Sequence, residues 1–179
     1  MILITGPAGS GKSVQAELIQ KEANVAWLSI GVLLREKANP AQKERMEQGV
    51  LLDDVEVEDI LHEAISEVSN GTRMLIDGFP RRDSQVQWFR GYTKAARRDL
   101  EAIIHITVPV DVVVERLAER GRADDKEETV RARYKLYEDE ILPMLDQMAD
   151  RGTRIIEVDG NRGENEVHEY IMTALKGII

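Results

Sequence analysis

Residues 1–13 read Met-Ile-Leu-Ile-Thr-Gly-Pro-Ala-Gly-Ser-Gly-Lys-Ser, and this stretch decides the fold. The apolar run Ile2–Ile4 is typical of a buried strand, and the spacing G-x-x-x-x-G-K-S follows it from Gly6 to Ser13. The glycines let the backbone turn tightly and bring its N–H groups close to an anion. Because a helix begins directly after them, its positive dipole end points at the same place. The stretch predicts a P-loop that binds the phosphates of a nucleoside triphosphate.

Two side chains of this loop have predicted chemical roles. Lys12 reaches the β- and γ-phosphates, and Ser13 offers a hydroxyl to Mg²⁺. The predicted triphosphate-binding residues share the loop and the first turn of the helix: Gly6, Pro7, Ala8, Gly9, Ser10, Gly11, Lys12, Ser13 and Val14.

Composition limits the possible classes of protein. The chain has 179 residues, which suits one domain, and its formal net charge of −9 argues against a general nucleic-acid binder. It has no cysteine, which excludes disulfides and thiolate metal sites, and no apolar run approaches the ~18 residues of a membrane span. The motif begins at Gly6, which leaves no room for a signal peptide, so we expect a cytoplasmic location.

Apolar runs alternate with segments of helical periodicity, the pattern of a parallel sheet with crossover helices. The predicted strands are Ile2–Thr5, Ala26–Ser29, Met74–Asp77, Ala102–Val108 and Arg154–Val158. The predicted helices are Ser13–Ala23, Val55–Val68, Ser84–Arg97, Val110–Arg120, Glu127–Met148 and Glu164–Leu175. We therefore expect an α/β protein of the P-loop NTPase fold, with a five-stranded parallel sheet and helices on both faces. Residues 29–73 are long for one crossover and predict a small helical insertion at the sheet edge.

A second motif, Asp-Gly-Phe-Pro-Arg, follows the predicted third strand. Asp77 ends a buried strand beside the P-loop, where a carboxylate acts as the second Mg²⁺ element. Gly78 allows close approach of a ligand, and the planar guanidinium of Arg81 suits a phosphate. The alternative is an ordinary turn with an exposed arginine.

A third group of residues is basic. Arg116 and Arg120 lie four apart on one predicted helix face, and Arg122 and Arg133 flank a short acidic loop. We interpret Arg120, Arg122 and Arg133 as phosphate-binding, because several guanidinium groups are needed around a transferring phosphoryl group. Asp124 and Asp125 either orient these arginines or cap the next helix. Arg131 either joins the cluster or pairs with Glu127 on the surface.

Together these motifs resemble the nucleoside monophosphate kinases, and most closely the adenylate kinases. The resemblance covers the whole chain in order and also includes Leu28–Arg35, Gly49 with Leu51 and Leu52, Gln85, and Val158-Asp159-Gly160. It implies transfer of the γ-phosphate of Mg·ATP to a nucleoside monophosphate by direct in-line attack. It also implies a monophosphate-binding insertion at residues 29–73.

The resemblance assigns roles to residues on both sides of the expected site. On the donor side, Arg116 would lie over the adenine of ATP, Arg120 would hold phosphates and Gly160 would pass near the base. The acceptor-side residues it implies are Ile30, Arg35, Leu51, Leu52, Gly78, Arg81, Gln85, Arg122 and Arg133, although core packing explains Leu51 and Leu52 equally well. Only Gly121 separates Arg120 from Arg122, so residues 121–126 would form a short lid without zinc.

The choice of monophosphate depends on three positions. A glutamine amide at Gln85 matches the N1 and N6 atoms of adenine and favours AMP. Where adenylate kinases have Thr-Gly-Asp, this chain has Ile30-Gly31-Val32, which removes a hydroxyl and a carboxylate. We therefore expect an adenylate kinase, with UMP/CMP or broad-specificity kinase as the alternative, and a nucleotide-binding regulator with little turnover as a further one. By family precedent we expect a monomer that uses Mg²⁺ with ATP.

Overall fold

The structure, a computed structural model of the chain, describes residues 1–47, 52–121 and 125–179. In these ranges the strands are β1 (Ile2–Thr5), β2 (Val25–Ser29), β3 (Arg73–Asp77), β4 (Ala102–Thr107) and β5 (Ile155–Asp159). The helices are α1 (Lys12–Glu22), α2 (Ile30–Lys37), α3 (Pro40–Glu47), α4 (Asp54–Glu67), α5 (Asp83–Ala96), α6 (Val110–Arg120), α7 (Glu127–Leu136), α8 (Leu142–Asp150) and α9 (Glu164–Ala174).

The described strands form one parallel sheet in the order β2-β3-β1-β4-β5. The first strand therefore lies in the centre, with Ile4 in register with Asp77 on one side and with Ile104 on the other. Because parallel strands end at the same edge, this register brings the P-loop next to the end of β3. The predicted α/β class, with a parallel P-loop sheet and helices on both faces, is confirmed.

The sheet is buried on both faces, which explains why its strands read as continuous apolar runs. Leu3 and Ile76 face a cluster that includes helices α4, α5 and α8. Ile4 and Ile104 face the opposite cluster, formed with α1, α6 and α9. The edge of the sheet where the P-loop meets the end of β3 is therefore held in place by helices packed on both faces.

The segment between β2 and β3 contains α2, α3 and α4, beside an edge strand of the sheet. Helix α4 begins with a capping box, in which Asp53 accepts a hydrogen bond from the backbone N–H of Glu56 and Glu56 accepts one from the backbone N–H of Asp53. That residues 29–73 act as a separate monophosphate-binding unit stays a prediction.

The structure differs from the sequence prediction at the long helix Glu127–Met148. A π-helical turn at Tyr137–Ile141 divides it into α7 and α8. Apolar residues continue at spacings of three and four through this turn, so the periodicity of the sequence did not reveal it. Four residues singled out in the sequence, Gly49, Leu51, Arg122 and Asp124, lie outside the described residues.

Candidate active site

A cleft of about 790 Å³ opens at the carboxyl ends of the central strands. This is where parallel α/β sheets bind ligands. The residues that line the cleft come from the P-loop and α1, from β2 and α2, from the end of β3 and the loop after it, from α6, and from the loop after β5 and α9. They are Ala8, Gly9, Ser10, Gly11, Lys12, Ser13, Val14, Gln15, Trp27, Ser29, Gly31, Val32, Arg35, Asp77, Gly78, Arg81, Arg116, Leu117, Arg120, Gly160, Arg162, Glu164 and Val167.

The ammonium group of Lys12 is held inside the P-loop. Its Nζ donates hydrogen bonds to the carbonyl oxygens of Gly6 at 2.8 Å and Pro7 at 2.7 Å. Loss of solvation there lowers the pKa of Lys12 to about 8; the carboxylate of Asp77 opposes this shift, while Arg81 and Arg120 add to it. A lysine in this position gains most from a ligand that brings negative charge into the loop.

Two glycines keep the backbone close together around this loop. A Cβ on Gly6, whose φ is +148°, would lie 2.3 Å from the carbonyl oxygen of Ile106. A Cβ on Gly160 would lie 2.5 Å from Cγ2 of Ile106 and 3.2 Å from the carbonyl oxygen of Ser10. Close packing therefore requires glycine at both positions, and it holds the turn after β5 against the P-loop.

Ser13 and Asp77 come together from two different strand–helix junctions. The Oγ of Ser13 donates a hydrogen bond to Oδ2 of Asp77 at 3.0 Å, and Asp77 is 5 % exposed. Two hard oxygen donors beside a phosphate-binding loop fit Mg²⁺, which binds few protein ligands and keeps waters and phosphate oxygens. The described ranges contain no group of three or more His, Cys, Asp or Glu side chains that could hold a metal ion.

Arg81 lines the cleft after β3, within electrostatic reach of Lys12. Its Nε donates to the carbonyl oxygen of Gly78 at 3.0 Å. Limited solvation in the cleft lowers the pKa of Arg81; Asp77 opposes this effect and the like charge of Arg133 adds to it. Arg133 is therefore within electrostatic reach of Arg81, although it does not line the cleft as described.

Gln85 is buried behind Arg81, in the first turn of α5. Its Oε1 accepts the backbone N–H of Arg81 at 2.8 Å, and its Nε2 donates to Oδ1 of Asp54 at 2.8 Å. Both ends of this amide thus have partners of known polarity on two neighbouring elements.

Two arginines of α6 border the P-loop. Arg116 donates from Nη2 to the carbonyl oxygen of Gly160 at 2.9 Å and from Nη1 to that of Gly9 at 3.5 Å. Arg120 makes a two-point contact with Asp125, at 2.9 and 2.6 Å, and Asp125 is 8 % exposed. Of the two roles considered for Asp125, orientation of an arginine is the one observed, since α7 has Lys126 and not Asp125 as its N-cap.

Other predicted residues have different surroundings. Ile30 and Leu52 are buried in an apolar cluster together with residues of α2 and α4, and neither these two residues nor the buried Gln85 line the cleft. Val32 and Arg35 do line it. Arg131 is paired on the surface with Glu127 and Asp111, each at 2.9 Å, which is the surface role considered for it.

Arg162 and Trp27 are among the side chains that line the cleft although no motif in the sequence pointed to them. Arg162 follows Gly160 by two residues and forms an exposed ion pair with Asp159. Trp27 packs against the apolar cluster of the α1 face and also lines the cleft. Proximity to Gly160 was the available signal for Arg162; for Trp27 the sequence carried none.

The parallel sheet, the glycine loop with its buried lysine contacts, and the cluster of arginines define a P-loop phosphate-binding protein. Comparison with known proteins narrows this class. The family model for adenylate kinase matches residues 4–153. An adenylate kinase of Rhodopirellula baltica is 34% identical over 97% of this chain and 94% of that protein. One of Corynebacterium urealyticum is 32% identical over 97% and 98% of the two chains, and one of Stenotrophomonas maltophilia is 31% identical over 98% and 99%. The chain belongs to the adenylate kinase family.

No helix in the described part of the chain has the length and apolar character needed to span a membrane.

Proposed function

We propose that this chain transfers the γ-phosphate of Mg·ATP to AMP and releases two molecules of ADP. The observation that carries the proposal is the cleft itself, where a P-loop lysine, a serine–carboxylate pair and several arginines meet at one edge of the sheet. The activity is that of the family, and relatives named adenylate kinase match nearly the full length of the chain.

The donor nucleotide binds through the P-loop. Backbone N–H groups of the loop and the N-terminus of α1 cradle its phosphates, and Lys12 exchanges its carbonyl contacts for phosphate oxygens. Arg116 and Gly160 form one wall beside this loop, where the adenine of ATP lies. Ser13 and Asp77 hold Mg²⁺ directly or through water; when bound, this ion neutralises charge on the β- and γ-phosphates.

The acceptor binds on the other side of the cleft. Arg35 and Arg81, which line the cleft, hold its phosphate. Gln85, which is buried directly behind Arg81, reads its base. Because an anionic phosphate oxygen is already a nucleophile near neutral pH, the reaction needs no protein nucleophile or base. Catalysis rests on bringing two anions together in line and on stabilising the charge that spreads over the transferring group.

The arginines supply this charge stabilisation. Arg120, positioned by Asp125, and Arg81, within reach of Arg133, already approach the cleft from different elements. Arg122 and the short lid at residues 121–126 complete the cluster when both nucleotides are bound, which keeps water from acting as the acceptor. The chain works as a monomer in the cytoplasm, where ATP is abundant.

The test is an acceptor panel. ADP formation from Mg·ATP is measured with AMP, dAMP, CMP, UMP and GMP in turn, and a reaction without acceptor reports hydrolysis. We expect kcat/KM to be highest for AMP. A preference for CMP or UMP would make the loss of the Thr-Gly-Asp pattern at Ile30–Val32 decisive, and ATP binding without transfer to any acceptor would indicate a regulatory protein.

A further inference from the structure

Asp54 lies at the first turn of α4 and contacts three side chains near the start of α5. It accepts hydrogen bonds from Nη1 of Arg82 at 2.9 Å, from Nε2 of Gln85 at 2.8 Å and from the hydroxyl of Ser84. No motif in the sequence points to this residue, and it does not line the cleft. The cap of α4 belongs to Asp53, so the carboxylate of Asp54 is not needed to begin that helix.

The polarity of both contacts fixes the orientation of the Gln85 amide. A backbone N–H can only donate, so the amide atom that faces Arg81 must be the oxygen. An ionised carboxylate can only accept, so the atom that faces Asp54 must be the nitrogen. Hydrogen bonds from Ser84, Gln85 and Arg82 lower the pKa of Asp54, and its carboxylate is therefore ionised at neutral pH.

This orientation matters because an unrestrained glutamine amide can rotate by about 180°, which exchanges the positions of its oxygen and nitrogen. One orientation presents a donor and an acceptor that match N1 and the N6 amino group of adenine. The opposite orientation matches the N1–H and O6 of hypoxanthine or guanine. The contact with Asp54 uses one hydrogen of the amide nitrogen, and the contact with Arg81 uses one lone pair of the amide oxygen. The nitrogen therefore keeps a second hydrogen, and the oxygen a second lone pair, for a base.

We propose that Asp54 is a specificity-determining positioning residue, which holds the amide of Gln85 in the orientation that accepts adenine and rejects 6-oxopurines. The inference rests on the proposed function, in which Gln85 reads the base of the acceptor. A 6-oxopurine would face the fixed amide donor to donor and acceptor to acceptor. Because the amide could not rotate to pair with this base, its unpaired groups would cost more binding free energy than those of a freely rotating amide.

The experiment compares AMP with IMP, since these acceptors differ in the polarity of the edge that the amide reads. Asp54→Ala removes the only carboxylate contact of the amide among the described residues. Arg82→Ala and Ser84→Ala are matched controls, because each breaks another contact of the same carboxylate and leaves the one to Gln85. Asp54→Ser is a second variant for the case that Asp54→Ala does not fold, which circular dichroism reports.

We expect the wild-type ratio of kcat/KM for AMP over IMP to fall at least about tenfold in Asp54→Ala, mainly through a raised KM for AMP. The KM for ATP should not change, and both controls should keep the ratio within about threefold of wild type. An unchanged ratio in Asp54→Ala or Asp54→Ser, or an equal fall in a control, would overturn the inference. If the wild type itself shows no preference for AMP over the other acceptors, the proposed acceptor fails, and the inference fails with it.

Discussion

The hydroxyl of Ser13 lies 3.0 Å from the carboxylate of Asp77, although 64 residues separate them in the chain. Ser13 lies in the first turn of α1, directly after the P-loop, and Asp77 ends the strand next to β1. The register of these two strands and the path of the P-loop together bring the two oxygens close. This pair is the position at which we expect Mg²⁺ to enter with ATP.

Asp77→Asn should therefore lower kcat by at least about tenfold and raise the Mg²⁺ concentration for half-maximal activity. The amide keeps the shape of the side chain and removes the charge that a metal requires. Activity is measured against Mg²⁺ at saturating nucleotide. Asp159→Asn is the matched control, because Asp159 also ends a strand at this edge but pairs with Arg162. Equal Mg²⁺ requirements in wild type and Asp77→Asn would contradict the assignment.

Lys12 gives a pH dependence to ATP binding. Because its pKa is about 8, the lysine loses its proton as the pH rises above that value, and binding of an anionic phosphate must then restore it. The dissociation constant for Mg·ATP should rise steadily between about pH 8 and pH 9.5 in the wild type. Calorimetry in buffers of different ionisation enthalpy should show proton uptake in this range.

Lys12→Met is the control for the nucleotide's own titration. It should bind ATP more weakly at pH 7, with no pH dependence attributable to residue 12, and should lose at least about a hundredfold in kcat while keeping its melting temperature within a few degrees. Parallel pH profiles for wild type and Lys12→Met would show that the lysine does not titrate here.

An ion pair at the amino ends of the strands, at the edge of the sheet opposite the cleft, predicts a loss of stability in acid. Arg73 donates two hydrogen bonds to Glu101, and the α-amino group of Met1 also contacts this carboxylate, which together lower the pKa of Glu101 to about 2. A carboxylate whose pKa is lowered by folding stabilises the fold at any pH above its pKa in the unfolded chain. This contribution disappears as the pH falls from about 4.5 to about 2.

Glu101→Gln should lower the free energy of unfolding by about 1–2 kcal/mol at pH 7, since the partners are partly exposed and solvent screens the charges. The difference from wild type should shrink below about pH 4.5, as measured by urea unfolding at several pH values. Glu17→Gln, which breaks an exposed pair with Lys21, should change little. A difference that stays constant down to pH 2 would be inconsistent with the lowered pKa.

The buried His105 connects the sheet to the π-helical turn. Its Nδ1 lies 2.8 Å from Oε1 of Glu157, and its Nε2 contacts the hydroxyl of Tyr137. Tyr137→Phe should cost about 1–2 kcal/mol of unfolding free energy, because it leaves a buried ring nitrogen without its partner. Tyr170→Phe is an exposed control and should have an effect below about 0.5 kcal/mol in the same urea titration. Equal effects in the two variants would show that the contact with His105 adds no stability.

The features that the sequence predicted well are local. The P-loop is specified by consecutive residues, and Asp77 and Arg81 could be placed because they follow an apolar strand and strand ends meet at one edge. The cleft brings these residues together with Arg116 and Gly160, as their positions after strands and along one helix face indicated.

The features that the sequence did not predict depend on side chains that meet across the fold. The contact between Asp54 and Gln85 joins two helices whose separation follows from packing on the sheet, and the sequence pattern carries no signal for it. The contacts of His105 likewise require the register of β4 against β5 together with an irregular turn. Burial of Ile30 and Leu52 also reflects tertiary packing that the sequence pattern did not show, and their place beside the acceptor stays a prediction.

The central claim is that this chain passes a phosphoryl group directly from ATP to AMP. It is tested most directly by a single turnover with enzyme in excess over γ-labelled Mg·ATP, mixed with AMP and quenched over time. We predict that the label moves from ATP to the β-phosphate of newly formed ADP, at one rate, without labelled protein. Label that appears mainly as inorganic phosphate, or on the protein before it reaches ADP, would contradict the account.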